Sequence, residues 1–262
     1  MNDVKIREII ERLINTFTEA GNVSLDLRKK GLNKEVKSDD TPVSNGDLEV
    51  NRIVTQKLLK LTPDIPIVSE ETSHNKSIKD LKNFWLVDPI DGTYDYINDL
   101  DEFTINAGLI IKRKAVAGLI YAPAKERMFY TFNKGSSFEL TKGKLQNLDC
   151  SKKTDKNTVK VVSYSSKLKP EIEKIHKEIG VTEYVRMKSS LKFCVIATGE
   201  YDGYVAEPRA NEWDIAAGHA ILENAGGSVT DFDGNKILYG KENFKNPSLI
   251  LKRSNNLKWV IN

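Results

Sequence analysis

The stretch Phe84–Thr93 reads Phe-Trp-Leu-Val-Asp-Pro-Ile-Asp-Gly-Thr. The other motifs of the chain are best interpreted in relation to this stretch. Its apolar run predicts a short strand that is buried on both faces. Pro89 has a fixed φ and no amide hydrogen, so we expect the strand to stop there. Gly92 permits a tight turn, which would leave Thr93 at a helix N-terminus, where free amides attract anions.

Asp88 and Asp91 are therefore expected close together at the carboxyl end of this strand. Two fixed carboxylates beside an anion-binding turn indicate divalent cations that hold a phosphate. The alternative is an ordinary acidic turn in which Thr93 caps a helix, because a short motif is only a hypothesis. This stretch alone leaves both interpretations open.

Other acidic side chains also lie at the ends of predicted elements. Asp47 falls in the first turn of a helix that ends before Pro63, Glu70 follows a short strand, and Asp214 begins a late helix. The helix dipole alone would favour a carboxylate at Asp47 or Asp214. The functional interpretation is that all three converge on one metal site, with Asp214 arriving from the second half of the chain.

The composition excludes several classes of protein. With 40 basic and 37 acidic residues, the net charge of +3 is too balanced to indicate a nucleic acid polymer as partner. The only cysteines, Cys150 and Cys194, predict reduced thiols and a cytoplasmic enzyme. No apolar run approaches the roughly 20 residues of a transmembrane segment, whereas peripheral attachment at the inner membrane stays open.

Two lobes are predicted, an α+β lobe over residues 1–150 and an α/β lobe over residues 151–262. Apolar periodicity predicts a first helix that ends near Gly21. First-lobe strands are expected at Phe103–Ile111, Ala115–Ala122, Met128–Phe132 and Ser136–Leu140. In the second lobe, strands are expected at Val159–Ser163, Tyr184–Met187, Gly203–Ala206, Ser228–Phe232 and Ser248–Leu251, and helices at Pro170–Gly180, Ser190–Gly199 and Trp213–Asn224. The charged segment Arg28–Asp40 is either a lid over the site or a plain surface loop.

Competing chemistries lack their motifs in this sequence. It contains no dinucleotide-binding glycine fingerprint, no P-loop, no G-x-S-x-G nucleophile elbow and no H-E-x-x-H. His176 lies among charged residues and is predicted to be a solvated surface side chain. His219 lies in an Ala/Gly-rich helix and is predicted to be packed in the core.

The motifs Asp88-Pro-Ile-Asp-Gly-Thr93, Ser69-Glu-Glu71 and Trp213-Asp214-Ile-Ala-Ala-Gly, in their order along the chain, resemble the lithium-sensitive, magnesium-dependent inositol monophosphatase superfamily. Within it, the chain is most similar to the 3′(2′),5′-bisphosphate nucleotidases. Segments similar to theirs are Glu102–Ile110, Tyr121–Pro123, Lys188–Cys194, Ala216–Ala220 and Phe244–Pro247.

This resemblance implies a layered αβαβα sandwich of the sugar-phosphatase type, with two or three Mg²⁺ ions bound between two lobes. Glu70, Asp88 and the carbonyl of Ile90 would hold one ion, and Asp88, Asp91 and Asp214 a second, while Glu70 would help with a third. Thr93 and Asp47 would orient and deprotonate the attacking water. Substrate contacts would come from Gly92, Thr93, Lys188, Ser189, Lys192, Arg209, Glu212 and Asp214.

The resemblance implies a phosphoric monoester hydrolase of sulfur metabolism that converts adenosine 3′,5′-bisphosphate to AMP and phosphate. The alternatives are an inositol-1-monophosphatase or related sugar phosphatase, and a catalytically silent binding protein. Tyr94 stands where such nucleotidases commonly have a basic residue, which weakens the substrate assignment more than the chemistry. A small phosphorylated molecule is the expected partner, and a homodimer stays open.

Overall fold

The computed structural model describes residues 1–36, 42–75, 81–152 and 158–254. Its α-helices are α1 Asp3–Lys30, α2 Asn45–Leu61, α3 Thr93–Ile97, α4 Pro170–Glu178, α5 Leu191–Ala197 and α6 Glu212–Asn224. Its strands are β1 Lys34–Val36, β2 Pro42–Ser44, β3 Ile67–Ser69, β4 Phe84–Asp91, β5 Thr104–Ile111, β6 Lys114–Ala122, β7 Arg127–Thr131, β8 Ser137–Thr141, β9 Lys144–Asn147, β10 Lys160–Ser163, β11 Glu183–Arg186, β12 Gly203–Ala206, β13 Ser228–Thr230 and β14 Leu249–Lys252. Within those described ranges, no helix has both the length and the apolar character needed to cross a membrane.

Helical layers alternate with two large sheets. On one face of the seven-stranded sheet β3–β9, Phe17 of α1 shares a core with Trp85 of β4, and α2 contributes to the same core. On the other face, α5 and α6 lie against the five-stranded sheet β10–β14, so that Phe193 and Leu251 share a second core. Helix α4 packs on the outer face of that sheet through a third apolar cluster. The predicted layered sandwich is confirmed.

The first helix is longer than its sequence pattern indicated. The prediction that it ends near Gly21 is wrong, because α1 continues to Lys30 and is capped by Gly31. Gly21 lies against Tyr121, and a Cβ at this position would come within 2.3 Å of the tyrosine ring. The glycine therefore permits a close approach between α1 and the sheet and does not end the helix.

The strand within Phe84–Thr93 also runs further than expected. The prediction that it stops at Pro89 is wrong, since β4 extends to Asp91. Asp88 pairs with Asn106 and Asp91 pairs with Thr104, so β4 has one more residue than β5 between the two pairs. The bulge accommodates Pro89, which cannot donate to a regular ladder, and leaves Asp88 and Asp91 on either side of it.

The second sheet has the order β11-β10-β12-β14-β13. The strand and helix ranges predicted for this half lie within a few residues of the observed elements, and Gly203–Ala206 coincides with β12. Strand β14 lies inside the sheet and pairs antiparallel with both β12 and β13. The last described strand therefore completes a sheet that begins nearly 100 residues earlier, at Lys160.

The two large sheets occupy consecutive parts of the chain, but one core contains residues of both. The division into lobes at residues 150 and 151 therefore stays a prediction. The Lys-rich stretch at 153–157, on which that boundary was placed, lies outside the described residues. So do residues 37–40 of the segment considered as a lid, whereas its first residues belong to the end of α1.

The two helical histidines are both buried. The prediction that His176 is a solvated surface residue is wrong, because its side chain is 5% exposed and its ring lies 5.9 Å, between centroids, from that of Tyr184. Burial lowers the pKa of His176, which favours the neutral ring. The prediction for His219 is confirmed, since this residue is buried and its Nδ1 lies 2.8 Å from the hydroxyl of Tyr239.

Two glycines allow α6 to lie directly on the seven-stranded sheet. A Cβ at Gly108 of β5 would come within 2.6 Å of the Ala216 side chain, and one at Gly118 of β6 within 2.7 Å of the Ala217 backbone. Helix α6 carries Asp214 in its first turn. The small residues on both sides of this contact therefore set the distance of Asp214 from the sheet.

We predict that Gly118→Ala lowers the free energy of unfolding by about 1–3 kcal/mol, because the added methyl group overpacks the contact with α6. Urea denaturation followed by circular dichroism measures the effect. Lys114→Ala, at an exposed position of the same strand, is the control and should stay within about 0.5 kcal/mol of the wild type. Equal stability of the Gly118→Ala variant and the wild type would contradict the packing argument.

Candidate functional site

The turn after β4 is formed by Gly92 and Thr93. Gly92 is the N-cap of α3 with φ 97°, and a Cβ there would lie 2.8 Å from the carbonyl oxygen of Glu102. Only glycine fits both the left-handed conformation and this close approach. Thr93 is the first residue of α3, as predicted, so the turn from strand to helix is fixed immediately beside Asp91.

Asp47 caps a helix and also contacts Thr93. Its Oδ2 accepts hydrogen bonds from the Ser44 amide at 2.8 Å and from the Ser44 hydroxyl at 2.6 Å, which caps α2. Its Oδ1 lies 3.1 Å from the Thr93 hydroxyl, which is also 3.0 Å from the carbonyl oxygen of Ile90. Burial raises the pKa of Asp47, and the bonds from Ser44 and Thr93 partly offset that rise. The first turn of α2 thereby joins the end of β4.

Asp88 is the most buried member of a group of carboxylates. Its side chain is 1% exposed, and its Oδ1 has no hydrogen-bond partner in the described part of the chain. Burial, followed by the charges of Glu70, Asp91 and Asp214, raises the pKa of Asp88 well above its ordinary value. Four carboxylates that are scattered in the sequence thus act on one another at one place.

Asp214 reaches this place from the second half of the chain. Its Oδ2 accepts a hydrogen bond from the Asn211 amide at 2.8 Å, which caps α6. Burial and then the charge of Asp91 raise the pKa of Asp214 to about 8. The helix-capping interpretation of Asp214 is therefore correct, and the same side chain also belongs to the carboxylate group.

The donor atoms fit a hard divalent cation. Glu70, Asp88, Asp91 and Asp214 offer carboxylate oxygens only, and the carbonyl of Ile90 adds a main-chain oxygen, which is the donor type that Mg²⁺ prefers. The orphaned Oδ1 of Asp88 and the raised pKa values indicate excess negative charge. Among the described residues, however, no three His, Cys, Asp or Glu side chains already form a finished set of metal ligands.

A cavity of about 250 Å³ opens beside Asp91 and Asp214. Its other walls carry three basic side chains, Lys188, Lys192 and Arg209, and the lining also includes Gly92, Ser189, Ser190, Tyr164, Tyr204 and Phe193. The lining of the cavity therefore combines two carboxylates with cationic and aromatic side chains.

Lys188 is held next to the turn that follows β4. Its Nζ donates to Oδ1 of the buried Asp95 and lies 4.8 Å from the ring centroid of Tyr94. Its amide donates to Oε2 of Glu102 at 3.1 Å. A cation thus lies directly over Tyr94, the position at which the sequence lacks a basic residue.

Lys192 and Arg209 line another part of the cavity. Burial lowers the pKa of Lys192 to about 8, and the nearby Asp91 carboxylate opposes this shift. The guanidinium of Arg209 lies 3.8 Å from the ring centroid of Tyr164, which fixes the plane of both groups. Ser189 is buried and has φ 54°. It contributes backbone atoms and a short side chain to the wall of the cavity.

Glu212, like Thr93, is a predicted substrate contact that does not line the cavity. Its buried carboxylate accepts hydrogen bonds from the amides of Gly240 and Lys241, at 2.8 and 2.9 Å, and pairs with Nζ of Lys241 at 2.7 Å. These bonds fasten a distant loop to the start of α6. The carboxylate is committed to that loop, and the substrate contact of Glu212 stays a prediction.

Sequence reasoning missed Ser190, Tyr164 and Asp95. Ser190 donates to a carboxylate 99 positions away in the sequence, and Lys188 pairs with Asp95 across 93 positions. The double serine at 189–190 was visible, but no local pattern relates it to β4 or α3.

Known proteins are similar to this chain in both sequence and fold. The chain matches the model of the inositol monophosphatase family over residues 5–261. It is 34% identical over 218 residues to the 3′(2′),5′-bisphosphate nucleotidase CysQ of Salmonella typhimurium, covering 80% of this chain and 85% of that protein. The structure of CysQ from Bacteroides thetaiotaomicron is 25% identical with a TM-score of 0.69, covering 91% of this chain and 94% of that one. The Thermotoga maritima IMPase has the same fold, with a TM-score of 0.71 at 23% identity and coverage of 93% and 91%.

We predict that stabilisation by Mg²⁺ increases with pH. The folded pKa of Asp214 is raised from 3.8 to about 8, so between these values the folded protein binds more protons than the unfolded chain. The free energy of unfolding of the metal-free protein therefore falls as the pH rises through this window. A cation replaces the proton, so the increase in melting temperature at saturating Mg²⁺ should be larger at about pH 8.5 than at about pH 6.

Thermal melts with Mg²⁺ and with EDTA at both pH values measure this effect. In Asp214→Asn the titrating group is removed, so the difference between the two pH values should shrink. A shift that is independent of pH in the wild type would contradict the prediction.

Proposed function

The chain belongs to the inositol monophosphatase family and is a metal-dependent phosphomonoester hydrolase, and we propose that it removes the 3′-phosphate from adenosine 3′,5′-bisphosphate. The products would be AMP and inorganic phosphate. The relatives named 3′(2′),5′-bisphosphate nucleotidase support this substrate, and the cavity beside the carboxylates supports it independently.

The observation that carries the proposal is that both signs of charge line the cavity. Asp91 and Asp214 line it together with Lys188, Lys192 and Arg209. A substrate with two phosphates fits this pattern, because one phosphate is held through a cation on the carboxylates and the other by the basic side chains. A monophosphate such as inositol-1-phosphate would offer no second anion to Lys192 and Arg209, whereas Lys188 is already paired with Asp95.

We assign the metal ligands as the sequence resemblance implied. Glu70, Asp88 and the Ile90 carbonyl would hold one Mg²⁺, and Asp88, Asp91 and Asp214 a second, with Glu70 contributing to a third. When bound, the cations neutralise phosphoryl charge and lower the pKa of the attacking water. The amides of Gly92 and Thr93, at the start of α3, would bind the phosphate oxygens.

The chain's own residues supply the path for the proton. The Thr93 hydroxyl lies 3.1 Å from Oδ1 of Asp47, so it can give its hydrogen to that carboxylate while accepting one from water. The proton then rests on Asp47, whose pKa is already raised by burial. Ser44 holds the other carboxylate oxygen of Asp47, so Oδ1 is kept facing Thr93.

A cytoplasmic location and a small-molecule substrate belong to the same proposal. Cys150 and Cys194 are both buried free thiols, which fits a reducing compartment. A cavity of about 250 Å³ suits a small phosphorylated molecule and not a polymer.

Phosphate release by the purified protein tests the proposal. Adenosine 3′,5′-bisphosphate, inositol-1-phosphate and a sugar bisphosphate are compared in Mg²⁺, with EDTA as the control. We expect the highest kcat/KM for the nucleotide, by at least about tenfold. Faster turnover of inositol-1-phosphate would reassign the substrate, and no phosphate from any of the three would overturn the assignment as an active phosphatase.

We predict that Asp91→Asn lowers kcat more than about tenfold while the protein stays folded, because the amide cannot replace an anionic metal ligand. The melting temperature without metal should not fall, since removing one charge relieves repulsion among the carboxylates. Steady-state kinetics and thermal melts measure both effects. Asp64→Asn, at an exposed position, is the control. Wild-type turnover in Asp91→Asn would show that the metal assignment is wrong.

We also predict that Arg209→Met raises KM for adenosine 3′,5′-bisphosphate about tenfold, because a charge-assisted hydrogen bond to the second phosphate is lost. KM for adenosine 3′-monophosphate, which lacks that phosphate, should change less than about threefold. Lys177→Met, at an exposed position of α4, controls for the loss of a positive charge. An equal change for both substrates would mean that Arg209 does not recognise the second phosphate.

A further inference from the structure

Ser190 lies where three elements of the fold meet. It is 2% exposed and immediately precedes α5. Its Oγ lies 3.0 Å from Nδ2 of Asn106 on β5, 2.6 Å from Oδ2 of Asp91 at the end of β4, and 2.5 Å from the carbonyl oxygen of Asp214 in α6. One hydroxyl thus connects the seven-stranded sheet to the helix that carries Asp214.

The Ser190 hydroxyl has only one hydrogen to donate in this contact. Nδ2 of Asn106 is a donor, so it occupies a lone pair of the Ser190 oxygen. The single hydroxyl hydrogen then faces two acceptors, the Asp91 carboxylate and the Asp214 carbonyl, and can be donated to only one at a time. The hydroxyl hydrogen therefore has two alternative positions. In one it is donated to the Asp91 carboxylate, and in the other it is donated to the main-chain carbonyl of Asp214.

We propose that Ser190 is a positioning residue that sets the separation between the Asp91 carboxylate and the first turn of α6. This inference rests on the proposed function, in which Asp91 and Asp214 hold the same cation. With a cation on Asp91, the hydroxyl hydrogen would be donated to the Asp214 carbonyl, so that α6 would stay fastened to the sheet. Without a cation, the hydrogen would be donated to either acceptor, and Asp91 and α6 would keep the same separation.

Asn106 supports this role. It is buried, and within the described ranges its Oδ1 has no hydrogen-bond partner. Its Nδ2 bond to Ser190 orients the serine oxygen, so that the hydrogen points toward the two acceptors and not toward β5. The same asparagine pairs with Asp88 across β4 and β5, which ties the position of Ser190 to the strand that carries both Asp88 and Asp91.

Calorimetric titration of Mg²⁺ into the metal-free protein, without substrate, tests the proposal. We expect Ser190→Ala to weaken Mg²⁺ binding about tenfold, because Asp91 and the first turn of α6 are then no longer held at the separation that a shared cation needs. Ser190→Thr keeps the hydroxyl and should bind within about threefold of the wild type. In kinetics, the Mg²⁺ concentration for half-maximal activity should rise in Ser190→Ala and stay within about threefold of the wild-type value in Ser190→Thr.

Ser137→Ala is the matched control. Ser137 is also buried, and its Oγ donates to the carbonyl oxygen of Ile221 at 2.9 Å, near the other end of α6. This variant loses a comparable hydrogen bond to the same helix, so it should lose stability but keep wild-type Mg²⁺ affinity. If Ser190→Ala does not fold, the isosteric pair Ser190→Thr and Ser190→Val, which differ in the hydroxyl, gives the same comparison.

The outcomes separate the two claims. A wild-type protein that does not bind Mg²⁺ overturns the proposed function. Wild-type binding together with unchanged binding in Ser190→Ala overturns the role of Ser190 alone. Equal weakening in Ser190→Ala and Ser137→Ala also overturns it, because the effect would then be general to α6.

Discussion

Repulsion among buried carboxylates is the constraint on which the site depends. Asp88 is almost fully buried, and Glu70, Asp91 and Asp214 all raise its pKa. Such a group is tolerated only where the carboxyl groups are protonated, hydrogen-bonded or neutralised by a cation. The fold provides the hydrogen bonds through the Asn211 amide and the Ser190 hydroxyl, while Oδ1 of Asp88 has no partner among the residues that the structure describes. This arrangement fits the activity of a hydrolase that binds phosphate through a divalent metal ion.

Helix α6 links the packing of the core to the position of the Asp214 carboxylate in the site. Its small residues meet Gly108 and Gly118, so its backbone lies directly on the seven-stranded sheet. Its first turn carries Asp214, and Glu212 in the same turn holds the loop at residues 240 and 241. Because one rigid element makes all these contacts, a displacement of the helix in the core is also a displacement of a carboxylate in the site. The Asp214 carboxylate is therefore positioned by close packing as well as by hydrogen bonds.

Only the family resemblance implied that the carboxylates converge, whereas local patterns were enough to predict most elements, because helix caps, turns and apolar periods are set by neighbouring residues. Asp47 and Asp214 could be placed in the first turns of helices for this reason. The predictions that were wrong all concern features that depend on residues far away in the sequence. The bulge that carries β4 past Pro89 is defined by pairing with β5, and the burial of His176 by packing against β11. Ser190 meets Asp91 across 99 positions, so no short window of sequence relates them.

The order of strands in the second sheet has a consequence for synthesis on the ribosome. Strand β14, at Leu249–Lys252, is the last described strand of the chain, yet it lies between β12 and β13. Until it emerges, β12 and β13 each present an unpaired edge, and unpaired edges invite association with other chains. The nascent polypeptide therefore completes this sheet late, after all the acidic groups of the site have been translated. The activity that we propose would require β14 to have been translated, and chaperones would be needed most in the interval before it emerges.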